Sequence, residues 1–168
     1  MKKIGTEKRR PENAKLRRSI DKLLNDGALF MEKHLHHLEI SDYRYDIQEA
    51  VVELDLDETV IHQLVEDYII QILKSKITFY KHIQELKQAE LHNIDIDYTK
   101  IRDLAHKNLG VVRNLRIKDA RKILEIIMIE DDLDNLRLCV KALEISAIKL
   151  HPLCAYETIN LIKIKNML

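Results

Sequence analysis

The sequence predicts an all-α protein, an antiparallel helical bundle with short connections. Three observations carry this expectation. Apolar residues recur at three- and four-residue spacing over long stretches. Only three Gly and two Pro interrupt 168 residues, so sharp turns are few. The one alternating stretch, residues 53–57, is too short for a convincing strand and sits just before a helix start. Hydrophobic residues make up 46% and charged residues 33%, enough for a core with charged outer faces and too apolar for a disordered chain.

The elements follow in order. Pro11 before Glu12 suits the first turn of a helix. That helix is expected to run to about Asp26, with Gly27 punctuating it. Residues 28–39 can form a second short helix, and residues 41–45 read as a linker. From Asp46 the periodicity strengthens, and Leu56, Val60, Ile61, Leu64, Val65, Tyr68, Ile69 and Ile72 follow helical spacing, with Asp57 as N-cap. Ile77, Tyr80, Ile83, Leu86 and Leu91 continue the pattern, and no Gly or Pro decides between one helix and a kinked pair.

Residues 92–97 read as a loop, with Asp97 capping a helix over roughly 98–114. A short helix is expected around 118–128. Asp131 and Asp132 then break the pattern and cap a strong helix over 133–150, which His151-Pro152 ends. The tail 155–168 reads as an amphipathic helix. The chain thus divides into a basic helical extension (1–45), a helical bundle (46–152) and a C-terminal helix (153–168).

Net charge is zero but unevenly spread. Residues 1–22 hold nine Lys and Arg (Lys2, Lys3, Lys8, Arg9, Arg10, Lys15, Arg17, Arg18, Lys22) against three acids (Glu7, Glu12, Asp21), a local charge of +6. Such an arm can touch nucleic acid, acidic lipid or an acidic partner, or simply be a solvated helix. The balanced remainder and few aromatics weigh against nucleic acid as the main partner. Cys139 and Cys154 lack C-x-x-C spacing and read as free thiols of a reducing cytosol. Neither a secretory signal nor a membrane span is expected, which points to the cytoplasm.

Catalytic signatures are missing. The chain has no phosphate-cradling Gly-rich loop, no G-x-S-x-G and no dinucleotide fingerprint, so an independent enzyme is not expected. His34 and His37 would share a helix face within an H-x-H-H cluster, but no further ligands complete a metal site. The Asp55/Asp57 and Asp95/Asp97 pairs read as helix caps. His62, His82, His92 and His151 read as surface or cap residues.

The helix at 98–114 carries the functional expectation. At about 100° per residue, Ile101, Leu104, Ala105, Val111, Val112 and Leu115 fall in one arc. His106 lies opposite, with Arg102, Gly110 and Arg113 on its side. Gly110 costs about 1 kcal/mol relative to alanine inside a helix, so something should compensate for it. A glycine one turn from an exposed imidazole gives a second protein room to approach. An exposed histidine can act as a nucleophile near neutral pH, and Arg102, Arg113 and Lys107 could tune phosphate charge.

The run Leu104-Ala105-His106-Lys107-Asn108-Leu109-Gly110-Val111-Val112-Arg113-Asn114-Leu115-Arg116-Ile117 resembles the signature helix of histidine phosphotransfer (HPt) domains. The resemblance covers roughly residues 46–150. It implies a four-helix-bundle core and a histidine, here His106, that accepts a phosphoryl group from a receiver-domain aspartate and passes it to another receiver. Gly110 would be the access glycine. The partners implied are a response-regulator receiver domain and a hybrid histidine kinase. No cofactor of its own is implied, because the receiver brings Mg²⁺. Two positions depart from the family: Leu109 stands where it usually has Lys, and Asn108 lies within the expected buried arc. Both fit a degenerate fold that docks receivers without carrying phosphate.

Overall fold

The long periodicity from Leu56 onward resolves into one unbroken helix. In the computed structural model, which describes residues 9–167 with side chains from 13 to 166, the chain is all-α. The helices are α1 (Arg9–Leu35), α2 (Ile47–Leu54), α3 (Glu58–Leu91), α4 (Thr99–Leu115), α5 (Lys118–Ile127), α6 (Leu133–Leu150) and α7 (Pro152–Met167). A single 3₁₀ turn, His36–Leu38, follows α1, and no strand occurs among the described residues. Lys2, Lys3, Glu7 and Lys8 lie outside the described residues.

At 1.5 Å rise per residue, the 34 residues of α3 span about 51 Å. It buries Ile61, Val65, Tyr68, Ile69, Ile72, Leu73, Phe79, Ile83 and Leu86. Leu56, Val60 and Leu64, read as part of the same stripe, are more than one-third exposed. Helix α3 packs against α4, α6 and α7; α4 packs on α5, and α5 on α6. Those contacts close a ring of four helices, with α1 laid against α6 and α7.

One expectation fails at Gly27. Helix α1 runs straight through it to Leu35, so neither the break there nor a separate helix over 28–39 exists. The glycine serves packing instead. A Cβ on Gly27 would meet Ile145 of α6 at 3.1 and 3.3 Å, tighter than ordinary van der Waals contact. The missing side chain lets two helices approach. Met31, Leu35, Leu38 and Ile40 then continue into the core, so much of the region read as an extension helps to build it. The tail helix begins at Pro152, one residue before the expected C-terminal segment 153–168. It is also less amphipathic than read, since Leu153, Leu161 and Ile164 are exposed while Ala155 and Thr158 are buried.

Several ends obey simple capping. Asp46 accepts from the Gln48 amide, and Asp132 from the Asn135 amide at 2.9 Å. The N-cap of α4 is Tyr98 rather than the expected Asp97 and makes no side-chain cap bond; Asp97, one residue earlier, accepts from the Thr99 hydroxyl and amide, which lowers its pKa. Asp57 occupies the N-cap of α3 without a side-chain cap bond; its carbonyl accepts from Val60 and Ile61 instead. Asp55 closes α2 in the left-handed region, at φ 50°.

One buried charge ties α3 to α6. Glu144, 7% exposed, accepts from Lys76 at 2.5 Å and from Lys141 at 3.2 Å. Burial alone would push its carboxyl up, but the two ammonium groups hold it below the ordinary glutamate value of 4.5.

The two glycines and the buried pair each lead to a measurable outcome. Gly27→Leu should destabilise the fold by about 1–3 kcal/mol through overpacking on Ile145. Gly110→Ala, with nothing beyond its own helix backbone within 4 Å of the added carbon, should stabilise it by about 1 kcal/mol. Urea unfolding measures both, and equal effects would contradict the packing account. Lys76→Met should cost about 3 kcal/mol at pH 7 by leaving Glu144 undercompensated. Because the folded pKa of Glu144 is depressed, its contribution is present above 4.5 and is lost as pH falls through the folded value. The gap between wild type and Lys76→Met should therefore narrow in acid, and a gap independent of pH would refute the pairing.

Candidate functional site

The buried stripe of α4 fixes what its other side shows. Ile101, Ala105, Asn108, Leu109, Val112 and Leu115 are buried, while Leu104 and Val111 are half-buried. His106, Lys107, Gly110 and Arg113 are exposed and Arg102 is intermediate, so the expected face is presented. Beyond the neighbouring backbone of its own helix, no heavy atom lies within 4 Å of where a Gly110 Cβ would sit, and no packing contact explains its helix cost.

The two departures have structural accounts. Asn108 is wholly buried, and its amide donates to the Leu104 carbonyl at 2.9 Å while its oxygen accepts from Gln71 of α3 at 3.4 Å. A buried amide with partners avoids the roughly 1–3 kcal/mol cost of an unsatisfied one. Leu109 is 2% exposed and belongs to the core. A lysine there would have to bury its ammonium group, so the position cannot supply phosphate charge in this chain.

Two of the three proposed tuning cations are engaged. Arg102 bonds Asp131 at 2.8 Å and lies over the Tyr98 ring, 4.8 Å from its centroid. Arg113 bonds Glu125 at 3.3 Å, and Arg121 bonds the same carboxylate at 2.9 Å. Arg121 first, then Arg113, lower the Glu125 pKa. Towards the end of α4, Arg116 pairs with Glu53 and Lys118 with Glu49. Lys107 has no ion pair among the described residues.

The C-terminus of α4 is closed in an unexpected way. Arg116 takes a left-handed conformation (φ 60°), and the Ile117 amide donates back to the Val112 carbonyl, a Schellman closure with arginine in the usual glycine position. The segment read as a linker supplies the remaining donors. Tyr45 donates to the Leu115 carbonyl at 2.6 Å and Tyr43 to the Arg116 carbonyl at 3.2 Å, while Tyr43 accepts from the Lys118 amide. Carbonyls at a helix end need such partners. Sequence reading missed both tyrosines; their i, i+2 spacing in an otherwise polar connection was the available signal. Burial, followed by the fields of Tyr43, Asp46 and Glu49, pushes Tyr45 up to about 12.

Other candidates fall into structural roles. The helix ends at Leu35, so His34 and His37 do not share a helix face; His34 packs against Phe30, and His36 and His37 meet edge to face in the 3₁₀ turn. No group of three potential metal-ligating side chains occurs among the described residues. His62 pairs with Glu58 and His82 with Glu85, and His92 closes α3. His151 accepts from the Cys154 amide and so caps α7. Cys139 and Cys154 are free; burial, then Glu130, pushes the Cys139 thiol up to about 11. Of the basic arm, Lys15, Arg17, Arg18 and Lys22 lie exposed along α1. No described helix is long and apolar enough to cross a membrane.

No protein-family model, no curated protein and no solved structure matches the chain. The resemblance to phosphotransfer domains therefore rests on the sequence of α4 and its surroundings alone.

Tyr45→Phe removes the bond that closes α4. It should cost about 1 kcal/mol, read from urea unfolding at pH 7. Since the folded pKa of Tyr45 lies above the ordinary tyrosine value of 10.0, its contribution holds below 10 and disappears as pH rises through about 12. The two proteins should converge in stability over that window, and an unchanged difference would count against the bond.

Proposed function

We propose that the chain is a histidine-containing phosphotransfer protein of a two-component phosphorelay. His106 accepts a phosphoryl group from a receiver-domain aspartate and donates it to another receiver. The observation that carries this reading is an exposed histidine at mid-helix beside a glycine that no internal packing requires. Such a glycine makes sense if the space above it belongs to a partner. The ring of α3, α4, α5 and α6 supports reading these helices as the four-helix-bundle core.

The transfer needs little from this chain. A ring nitrogen of His106 attacks phosphorus, the bond to the aspartyl oxygen breaks, and the aspartate leaves as a carboxylate. The receiver supplies Mg²⁺ and the surrounding charge, so the chain acts as a carrier without a self-contained active site. Lys107 is the nearby cation free to meet phosphate, whereas Arg102 and Arg113 must first leave Asp131 and Glu125. A response-regulator receiver is the expected partner, with a hybrid histidine kinase upstream, in the cytoplasm.

A second reading has its own support. Leu109 is buried, and the two arginines beside His106 are already paired. These features favour an adaptor that docks receivers on the same face without accepting phosphate.

The test is transfer from a pre-phosphorylated receiver of the same host. The carrier reading predicts acid-labile label on the chain that is abolished in His106→Gln, with the fold intact by circular dichroism. Gly110→Leu should abolish receiver docking by filling the approach. Docking without label would favour the adaptor. Receiver affinity unchanged by the leucine would rule out this face.

A further inference from the structure

Away from the His106 face, a cleft of about 770 Å³ opens between α1, the 39–46 connection, α3 and α6. A second cavity of about 600 Å³ continues from it, sharing Ser41, Asp42, Asp119, Ser146 and Lys149. The volume suits a small organic molecule. Its most buried polar groups are Asp119, 4% exposed, and Ser146, 3% exposed.

The carboxylate of this pair lacks a paired cation. The Asp119 carboxylate accepts from the adjacent Ala120 amide at 2.7 Å and has no ion pair among the described residues. The Ser146 hydroxyl reaches Asp119 closely enough to lower its pKa and has no other partner among them, and the Tyr68 hydroxyl, which lies within the field of Asp119, has none. Lys149 is the cation whose field reaches Asp119, but it is exposed and donates to the Ser41 carbonyl at 3.3 Å. Burial raises the Asp119 pKa against the Ala120 and Ser146 hydrogen bonds and that field. An unpaired carboxylate at such depth is costly, and a ligand that supplies a cation recovers the cost.

We propose that this cleft binds a small primary amine with an apolar or aromatic body. The ammonium group donates to Asp119 and Ser146. The body lies among Leu24, Tyr43, Tyr45, Val65 and Leu150, where the tyrosine rings also attract a cation. An anion meets a buried carboxylate of its own sign. A neutral apolar molecule leaves the buried carboxylate without a cation. A divalent ion lacks its ligands, since no third chelating group joins the site among the described residues. The inference is independent of phosphotransfer at His106.

Three probes of similar shape decide it on the native chain: tryptamine, its neutral alcohol analogue tryptophol, and anionic indole-3-acetate. Titration followed by amide chemical shifts should show tryptamine perturbing Asp119, Ser146 and residues 41–45. Its affinity should exceed that of tryptophol by roughly tenfold or more, the worth of one charge-assisted hydrogen bond. Indole-3-acetate should not bind. Asp119→Asn should reduce tryptamine to the level of tryptophol. Equal binding of the three probes, shifts confined to another surface, or tryptamine affinity unchanged in Asp119→Asn would each overturn the proposal. If that variant does not fold, the ranking of the three probes on the native chain decides alone.

Discussion

Everything in this fold depends on the need of α3 to bury apolar side chains on more than one side. Its buried positions run from Ile61 to Leu86, far more than one neighbour covers. Helices α4, α6 and α7 share the task, and α5 and α1 fill the spaces between them. The hydrophobic effect supplies the drive, at about 25 cal/mol per Å² of apolar surface removed from water. Two polar ties then choose among possible packings. The Lys76–Glu144 pair ties α3 to α6, and the Gln71–Asn108 bond ties α3 to α4. Each buried polar group tolerates few alternatives, because a shifted register leaves it without a partner.

The position of His106 follows from that packing. Ala105, Asn108, Leu109 and Val112 turn inward against the core, and helical geometry then turns His106 and Gly110 outward. The tyrosine strap closes the far end of α4, so the helix keeps its direction to Leu115. The two glycines past residue 20 make opposite use of the same missing side chain. Gly27 admits Ile145 of the same chain, whereas Gly110 admits nothing internal. That contrast is the main reason to read the α4 face as a place of contact with another protein.

Much of the fold was legible because its signals are local. The span 133–150, the Asp132 cap and the break at His151-Pro152 follow from neighbouring residues, and the structure repeats them. Gly27 misled because its role depends on Ile145, 118 positions away, and no local pattern distinguishes a packing glycine from a capping one. Leu56, Val60 and Leu64 fit the helical period yet stay exposed, since periodicity gives a face but not what covers it. At the site, the exposure of His106 and the burial of Asn108 were readable from the wheel. The pairing of Arg102 with Asp131 and Arg113 with Glu125 was not, because both acids come from elsewhere in the chain.

The central claim concerns one imidazole among eight histidines, and ring nitrogen resonances report on each separately. The decisive measurement is an NMR spectrum of the chain labelled with ¹⁵N in its histidine rings, recorded during incubation with a host receiver domain, Mg²⁺ and a phosphoryl donor that charges that receiver. The account predicts that the His106 ring alone moves to a phosphoramidate position and that its signal returns when an uncharged receiver is added. Reaction at another histidine, or no change in any ring while the receiver is charged, would contradict it.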